Sequence, residues 1–266
     1  MKIATWNVNS LRARADRVED WLRRTDVDVL AIQETKCKDE NFPWELFENN
    51  DYEVAHFGVN QWNGVAIASR VGLDDVERTF GGQPSFGKGG KDPIQEPRAM
   101  AATCNGVRVW SLYVPNGRAL DDEHMEYKLQ WLDVLKDNAA SWLERDPDAQ
   151  IALAGDWNIA PRDEDVWDID FFVENRMTHV SEPERAAFRA FETAGFSDPV
   201  RPFTEGAFTY WDYTQLRFPR GEGMRIDFAL TSPALAARVN NAWIDREERK
   251  GKGASDHAPV VVELAG

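Results

Sequence analysis

Apolar runs of roughly four to eight residues, too brief for buried helices, recur along the whole of this sequence, and most stop at a polar residue. That pattern demands a core built of strands. Strands are expected at 2–7, 27–33, 52–57, 65–69, 99–104, 107–114, 151–155, 208–211, 225–230 and 258–264. Helical periodicity is confined to 14–24, 121–144 and 183–194; Val18, Trp21 and Leu22 share a stripe of the first, and Leu129, Leu132, Leu135 and Trp142 recur on the second. So few helices do not suit a strictly alternating βαβ chain. The fold class expected is α/β, with two mixed β-sheets packed face to face and helices outside. Neither Gly81-Gly82 nor Gly87-Lys88-Gly89-Gly90 matches a P-loop or a GxGxxG turn, so the loop at 81–97 is left without an assigned role.

A chain of 266 residues, 42% hydrophobic and with eleven Trp, can fill one large core, and no Pro/Ser/Gly linker divides it. A single domain, 1–266, is expected. No apolar signal core opens the sequence and no apolar span is long enough to cross a membrane, which predicts a soluble cytoplasmic protein. The two cysteines, Cys37 and Cys104, lack metal-site spacing and read as reduced structural thiols. A net charge of −15 argues against bulk attraction to nucleic acid, although Arg12/Arg14/Arg17, Lys88/Lys91, Arg217/Arg220 and Arg246/Arg249/Lys250/Lys252 form local basic clusters.

The polar stops carry the chemistry. Ile151-Ala152-Leu153-Ala154-Gly155 runs into Asp156-Trp157-Asn158, and the period of an extended chain puts Asp156 and Asn158 on one face. Asn7 and Glu34 close two other runs, Asp227 interrupts a third, and Asp256-His257 precedes a fourth. Carboxylates, carboxamides and one His suit phosphodiester hydrolysis with Mg²⁺, a hard cation that takes one or two protein carboxylates and keeps water and phosphate in its other positions. Glu34 is the first choice of ligand. A zinc hydrolase would want more than the four His present, and none has HExxH spacing.

These segments resemble the exonuclease III family of abasic-site endonucleases, within the wider endonuclease/exonuclease/phosphatase superfamily. The resemblance spans essentially the whole chain through six ordered motifs: 6–13, 33–36, 113–117 (Tyr-Val-Pro-Asn-Gly), 155–161, 225–227 and 255–259. It implies a four-layer α/β sandwich. It further implies that Glu34 binds Mg²⁺, for which Mn²⁺ can substitute, with Asn7 and Asp256 beside the metal. Asp156 would position or deprotonate the attacking water, Asn158 would hold that water or a phosphate oxygen, and His257, oriented by Asp227, would stabilise the charge growing on the phosphate. Tyr113 would contact the phosphate, and either its phenolate or Asp156 would be the base.

The Tyr at 113 resembles the abasic-site branch, since branches acting on lipids, inositol phosphates or undamaged DNA commonly carry a second His there. By the same resemblance Arg12 and Asn116 contact phosphate, Trp62 enters a DNA groove, and Tyr210, Met224 and Ile226 wall a slot for a flipped-out abasic sugar. Trp157 and Trp211 read as core. Asn9 stands where some relatives have an Asp, which implies one metal of consequence. The expected activity is incision 5′ to abasic sites in duplex DNA by a monomer, with 3′-to-5′ exonuclease action and removal of blocked 3′ ends. The alternatives are a phosphodiesterase or phosphatase acting on a lipid or small phosphate ester, and an inactive binding module.

Overall fold

Strands buried along their whole length need packing on both faces, and four of the eleven strands here are buried at every residue. The computed structural model describes residues 1–266. Its strands are β1 (Lys2–Asn7), β2 (Val29–Gln33), β3 (Glu53–Phe57), β4 (Val65–Ser69), β5 (Asp74–Arg78), β6 (Ala99–Cys104), β7 (Val107–Tyr113), β8 (Ile151–Asp156), β9 (Asp227–Thr231), β10 (Val239–Ile244) and β11 (Val260–Leu264). They form a six-stranded sheet in the order β10-β11-β1-β2-β4-β3 and a five-stranded sheet in the order β5-β6-β7-β8-β9. Each sheet holds one parallel pair, β1 with β2 and β7 with β8, and every other pairing is antiparallel.

The helices are α1 (Ala15–Thr25), α2 (Trp44–Glu48), α3 (Glu123–Arg145), α4 (Ile169–Glu174), α5 (Glu182–Thr193), α6 (Arg217–Arg220) and α7 (Pro233–Ala236). Strand alternation sorts the core into layers. Ala4 and Trp6 of β1 face Val18, Trp21 and Leu22 of α1. On the opposite face Ile3, Val29 and Ala31 meet Met100, Ala102, Val109, Ala152 and Ala154 of the second sheet, and the small side chains let the sheets approach. Beyond that sheet Trp131, Leu132 and Leu135 of α3 and Phe188 and Phe191 of α5 pack on Trp110, Leu112, Leu153 and Phe228. The result is the four-layer sandwich expected, with two mixed sheets inside and helices outside.

Near the strand ends the two sheets are also joined by polar contacts. Thr5 Oγ1 donates to Gln33 Oε1 (3.1 Å), Gln33 Nε2 to Ser111 Oγ (3.0 Å), and Ser111 Oγ to the Ile32 carbonyl (2.8 Å). Gly155 allows the close pairing of β7 and β8, because a Cβ there would lie 1.9 Å from the Leu112 carbonyl oxygen. No helix is long and apolar enough to cross a membrane. Cys37 and Cys104 are both free and buried.

One expected strand, 208–211, is absent. Thr209 Oγ1 accepts from the backbone N–H groups of Ile226 and Asp227 (3.0 and 3.1 Å), so a side chain takes the place of ladder bonds there. Only isolated bridges from Tyr210 to Met224 and to His257 remain. Two strands were not expected: β5 is exposed along its length and so lacks an apolar alternation, and β10 is an edge strand broken by a register shift.

Candidate active site

The parallel pairs explain where the site lies. β1, β2, β7 and β8 deliver Asn7, Gln33, Tyr113 and Asp156 at their carboxyl ends, and the chain leaving β2 continues into Glu34. Asp227, the first residue of antiparallel β9, is in register with Asp156. His257 arrives just before β11, its carbonyl accepting from Trp6 Nε1 (3.2 Å).

At the centre, Asn7 Nδ2 donates to both Glu34 Oε1 (2.8 Å) and Asp156 Oδ2 (2.9 Å), while its own oxygen accepts from the Asn9 N–H (3.0 Å). Asn7 therefore orients two carboxylates. The His257 imidazole donates through Nδ1 to Asp227 Oδ2 (2.8 Å), and its Nε2 is 3.7 Å from Asp156 Oδ2. Ligand atoms of Glu34, Asp156 and His257 all lie within 4.8 Å of one another, a spacing that a cation can bridge. Asp256 sits at the rim, accepting from Asn9 Nδ2 (3.2 Å).

Burial and charge set the protonation states. Burial favours the neutral form of Asp156 and Asp227 and Glu34 reinforce it, while His257 opposes, so its pKa rises to about 7. For His257, burial alone would disfavour the cation, but Asp227 and Asp156 outweigh it and hold the imidazolium to about 10. A protonated imidazole cannot ligate a metal, which leaves oxygen donors for a cation and an N–H for a substrate anion. Glu34 is half-buried, and although that burial favours its neutral form, Lys36 (2.8 Å) keeps its carboxyl below the ordinary range. Burial and Glu34 drive the Tyr113 phenol well above its usual value, against Arg98, whose guanidinium stacks 4.7 Å from the ring centre. Tyr113 is thus a neutral phenol at neutral pH.

A cavity of about 150 Å³ opens onto this centre. Asp156, Asn158, Asp256 and His257 line one side, with Glu34, Tyr113 and Asn116; Tyr210, Met224 and Ile226 line it too. The Tyr210 ring meets the His257 ring edge-on at 4.9 Å. Next to the cavity, and sharing Glu34, Tyr113 and Asn116 with it, runs a larger groove of about 640 Å³. Trp62, 63% exposed, stands in its wall, and the 81–97 loop forms another part through Phe86, Lys88, Lys91 and Ile94. Lys36, Arg98 and Arg118 add positive charge against Glu34, Asp92 and Glu96. Arg12 is exposed on a turn that lines neither space. Trp157 and Trp211 are fully buried core residues.

The sequence reading passed over three buried polar residues at the back of this site: Lys128 on α3, Glu184 on α5, and His179 in the loop before α5, which also lines the cavity. A signal was there. Lys128 falls on the apolar stripe of its helix with Trp131, Leu132 and Leu135, and Glu184 falls on that of Phe188 and Phe191, where a charge needs a reason.

Residues 4–257 match the Endonuclease/Exonuclease/phosphatase family, and the chain belongs to it. It is an enzyme that hydrolyses phosphodiester bonds. The chain is 31% identical to an exodeoxyribonuclease of Bacillus subtilis, with 98% of each sequence covered. Among solved structures it resembles a 3′ phosphatase from Neisseria bound to a product DNA hairpin (TM-score 0.91, 35% identity, 100% of both chains). It also resembles an AP endonuclease from Archaeoglobus fulgidus (TM-score 0.88, 34% identity, 99% of both chains). Its full-length likeness is thus to DNA repair nucleases.

Proposed function

We propose that this protein is a Mg²⁺-dependent nuclease of DNA repair, acting as a monomer, that incises duplex DNA 5′ to abasic sites and works on 3′ ends as an exonuclease and a remover of blocking groups. The observation that carries the reading is that Tyr210, Met224 and Ile226 line the same cavity as Asp156, Asn158 and His257. At about 150 Å³, it has room for about five water volumes. A sugar stripped of its base fits such a space; a sugar with its base does not. The likeness to a 3′ phosphatase and to an AP endonuclease supports both halves of the activity.

The donor set fits a hard divalent cation. Asp156, Asp227 and Glu34 crowd a small volume in which His257 and Lys36 are the adjoining cations, and the free donors are oxygens. Glu34 would hold the ion, with Asn7 orienting its carboxylate and Asp256 beside it. When bound, Mg²⁺ neutralises phosphate charge and stabilises the leaving oxygen; Mn²⁺ can take its place.

Asp156, with a pKa of about 7, takes the proton of the attacking water, a task that is best served by a base poised near the working pH. Tyr113, a neutral phenol, donates a hydrogen bond to the phosphate and is not the base. His257 presents Nε2–H to a non-bridging oxygen, while Asp227 fixes its orientation through Nδ1. Asn116 donates to Asn158 Oδ1 (3.1 Å), so the two carboxamides meet the phosphate as a linked pair. Arg12 and Trp62 engage the flanking duplex, Arg12 at phosphate and Trp62 in the groove.

The test is cleavage of a labelled duplex carrying one abasic-site analogue, an undamaged duplex and a duplex ending in a 3′ phosphate, each with Mg²⁺ and with chelator. Mg²⁺-dependent incision at the analogue supports the reading in full. Action on the 3′ substrates alone assigns the enzyme to end processing, and turnover only of a small phosphate ester overturns the DNA assignment.

A further inference from the structure

Asn158 follows β8 in the left-handed region, with φ of 50°, which turns its carbonyl inward. That oxygen accepts twice, from Lys128 Nζ (2.6 Å) and from His179 Nδ1 (2.6 Å). The same ammonium donates to the Asn116 carbonyl (3.1 Å) and pairs with Glu184 Oε1, so all three of its protons are engaged. Glu184 in turn accepts from the His179 N–H (3.0 Å), the Ser181 N–H (3.2 Å) and Ser181 Oγ (2.6 Å). Lys128 and Glu184 are wholly inaccessible to solvent.

A buried ion pair is weak evidence for stability, since apolar replacements of similar volume are often neutral. This pair instead ties together two backbone points that have no ladder between them. Asn116 and Asn158 lie on different loops, and their side chains touch only through one hydrogen bond at the cavity wall. We infer that Lys128 and His179, backed by Glu184, are positioning residues that hold the Asn116 and Asn158 carboxamides at the spacing a phosphate requires. His179 acts here as a neutral donor: a carbonyl can only accept, so Nδ1 carries the proton, and burial with Lys128 nearby keeps the ring from charging. The inference rests on the hydrolytic reading of this cavity.

The test pairs Lys128→Met with Glu184→Gln, which removes the charge and leaves no buried ion alone. Beside it stand His179→Leu, which deletes the donor, and His179→Asn, whose side-chain N–H can replace Nδ1. Two quantities are measured: amide hydrogen exchange over residues 115–118 and 157–160, and kcat and KM on the DNA substrate that the wild type turns over. The double variant and His179→Leu should each exchange at least tenfold faster in those segments and lose at least tenfold in kcat, with KM within threefold. His179→Asn should restore most of both. The pH dependence should be unchanged, because Asp156 and His257 are intact. Unchanged exchange overturns the inference, and so does a kcat within twofold of wild type in a folded variant. If the double variant does not fold, the contrast between His179→Leu and His179→Asn decides. If the wild type cuts no DNA, the reading of function falls and the anchoring stands or falls on exchange alone.

Discussion

Asp156 and Asp227 face each other across the register of β8 and β9, both buried, and the His257 imidazole is the cation that spans them. Two carboxylates so close cannot both be ordinary acids at neutral pH. One is committed to the imidazole at 2.8 Å, and the other, buried and with only a 3.7 Å approach to it, is left with a raised pKa, its Oδ2 accepting from Asn7 Nδ2 and its Oδ1 from the Asn158 N–H.

Replacing Asp156 with Asn keeps the shape and removes the base. Single-turnover cleavage should fall by about three orders of magnitude or more, while the affinity for duplex DNA, read by fluorescence anisotropy, should stay within about threefold. Unchanged cleavage would remove Asp156 from the chemistry.

Asp227→Asn tests the orienting role through pH. His257 is protonated to about pH 10 because Asp227 and Asp156 stabilise its cation against burial. Losing one negative partner lowers that pKa, so activity should begin to fall at a less alkaline pH than in the wild type. The maximal rate should drop by about 10²-fold or more. A pH profile of kcat/KM from 6 to 10 displays both effects; a lower rate with the alkaline limb unmoved would refute the electrostatic part.

His56 makes stability itself pH-dependent. It is buried on β3, with Thr35 Oγ1 and Asp39 Oδ1 each 2.8 Å from its ring nitrogens. Burial outweighs Asp39 and lowers its pKa to about 4. Between about 4 and the ordinary value of about 6.5 the unfolded chain binds a proton that the folded chain refuses, so stability decreases as pH falls through that window. Urea unfolding at several pH values from 4.5 to 6.5 should show a slope for His56→Gln shallower than wild type by roughly 1 kcal/mol per pH unit. Equal slopes would show that His56 does not account for the dependence.

Trp62 is offered as a contact and not as core. Trp62→Ala should leave the melting temperature within about a degree, since the ring is 63% exposed, yet weaken duplex binding roughly five- to tenfold, the loss expected for one aromatic contact with a base or sugar. A binding constant that does not move would place the DNA elsewhere.

Most of the site was legible because its residues lie at or just beyond the ends of buried strands, and a polar side chain at such a position announces itself against the apolar run beside it. Asn7, Glu34, Asp156 and Asp227 were found that way. What the sequence hid has two physical causes. The segment at Tyr210 reads as a strand by composition, but Thr209 satisfies the neighbouring backbone with its hydroxyl, and a substitution of that kind depends on partners across the fold. Lys128 and Glu184 reveal their role only when α3 and α5 are laid side by side, because each is a misplaced charge on its own helix and a partner only in three dimensions.

The pairing of β11 with β1 also joins the two ends of the sequence at the site. Asn7 and His257 are at opposite ends of the sequence, and the imidazole is held in place through Trp6 and through the pairing of Thr5 with Val260. A chain made only as far as Asp156 contains Asn7, Glu34 and Asp156 but neither Asp227 nor His257, and its β1 has β2 beside it but not β11. The imidazole that faces the phosphate is therefore among the last parts of the site to be synthesised, and a chain stopped before residue 257 lacks it.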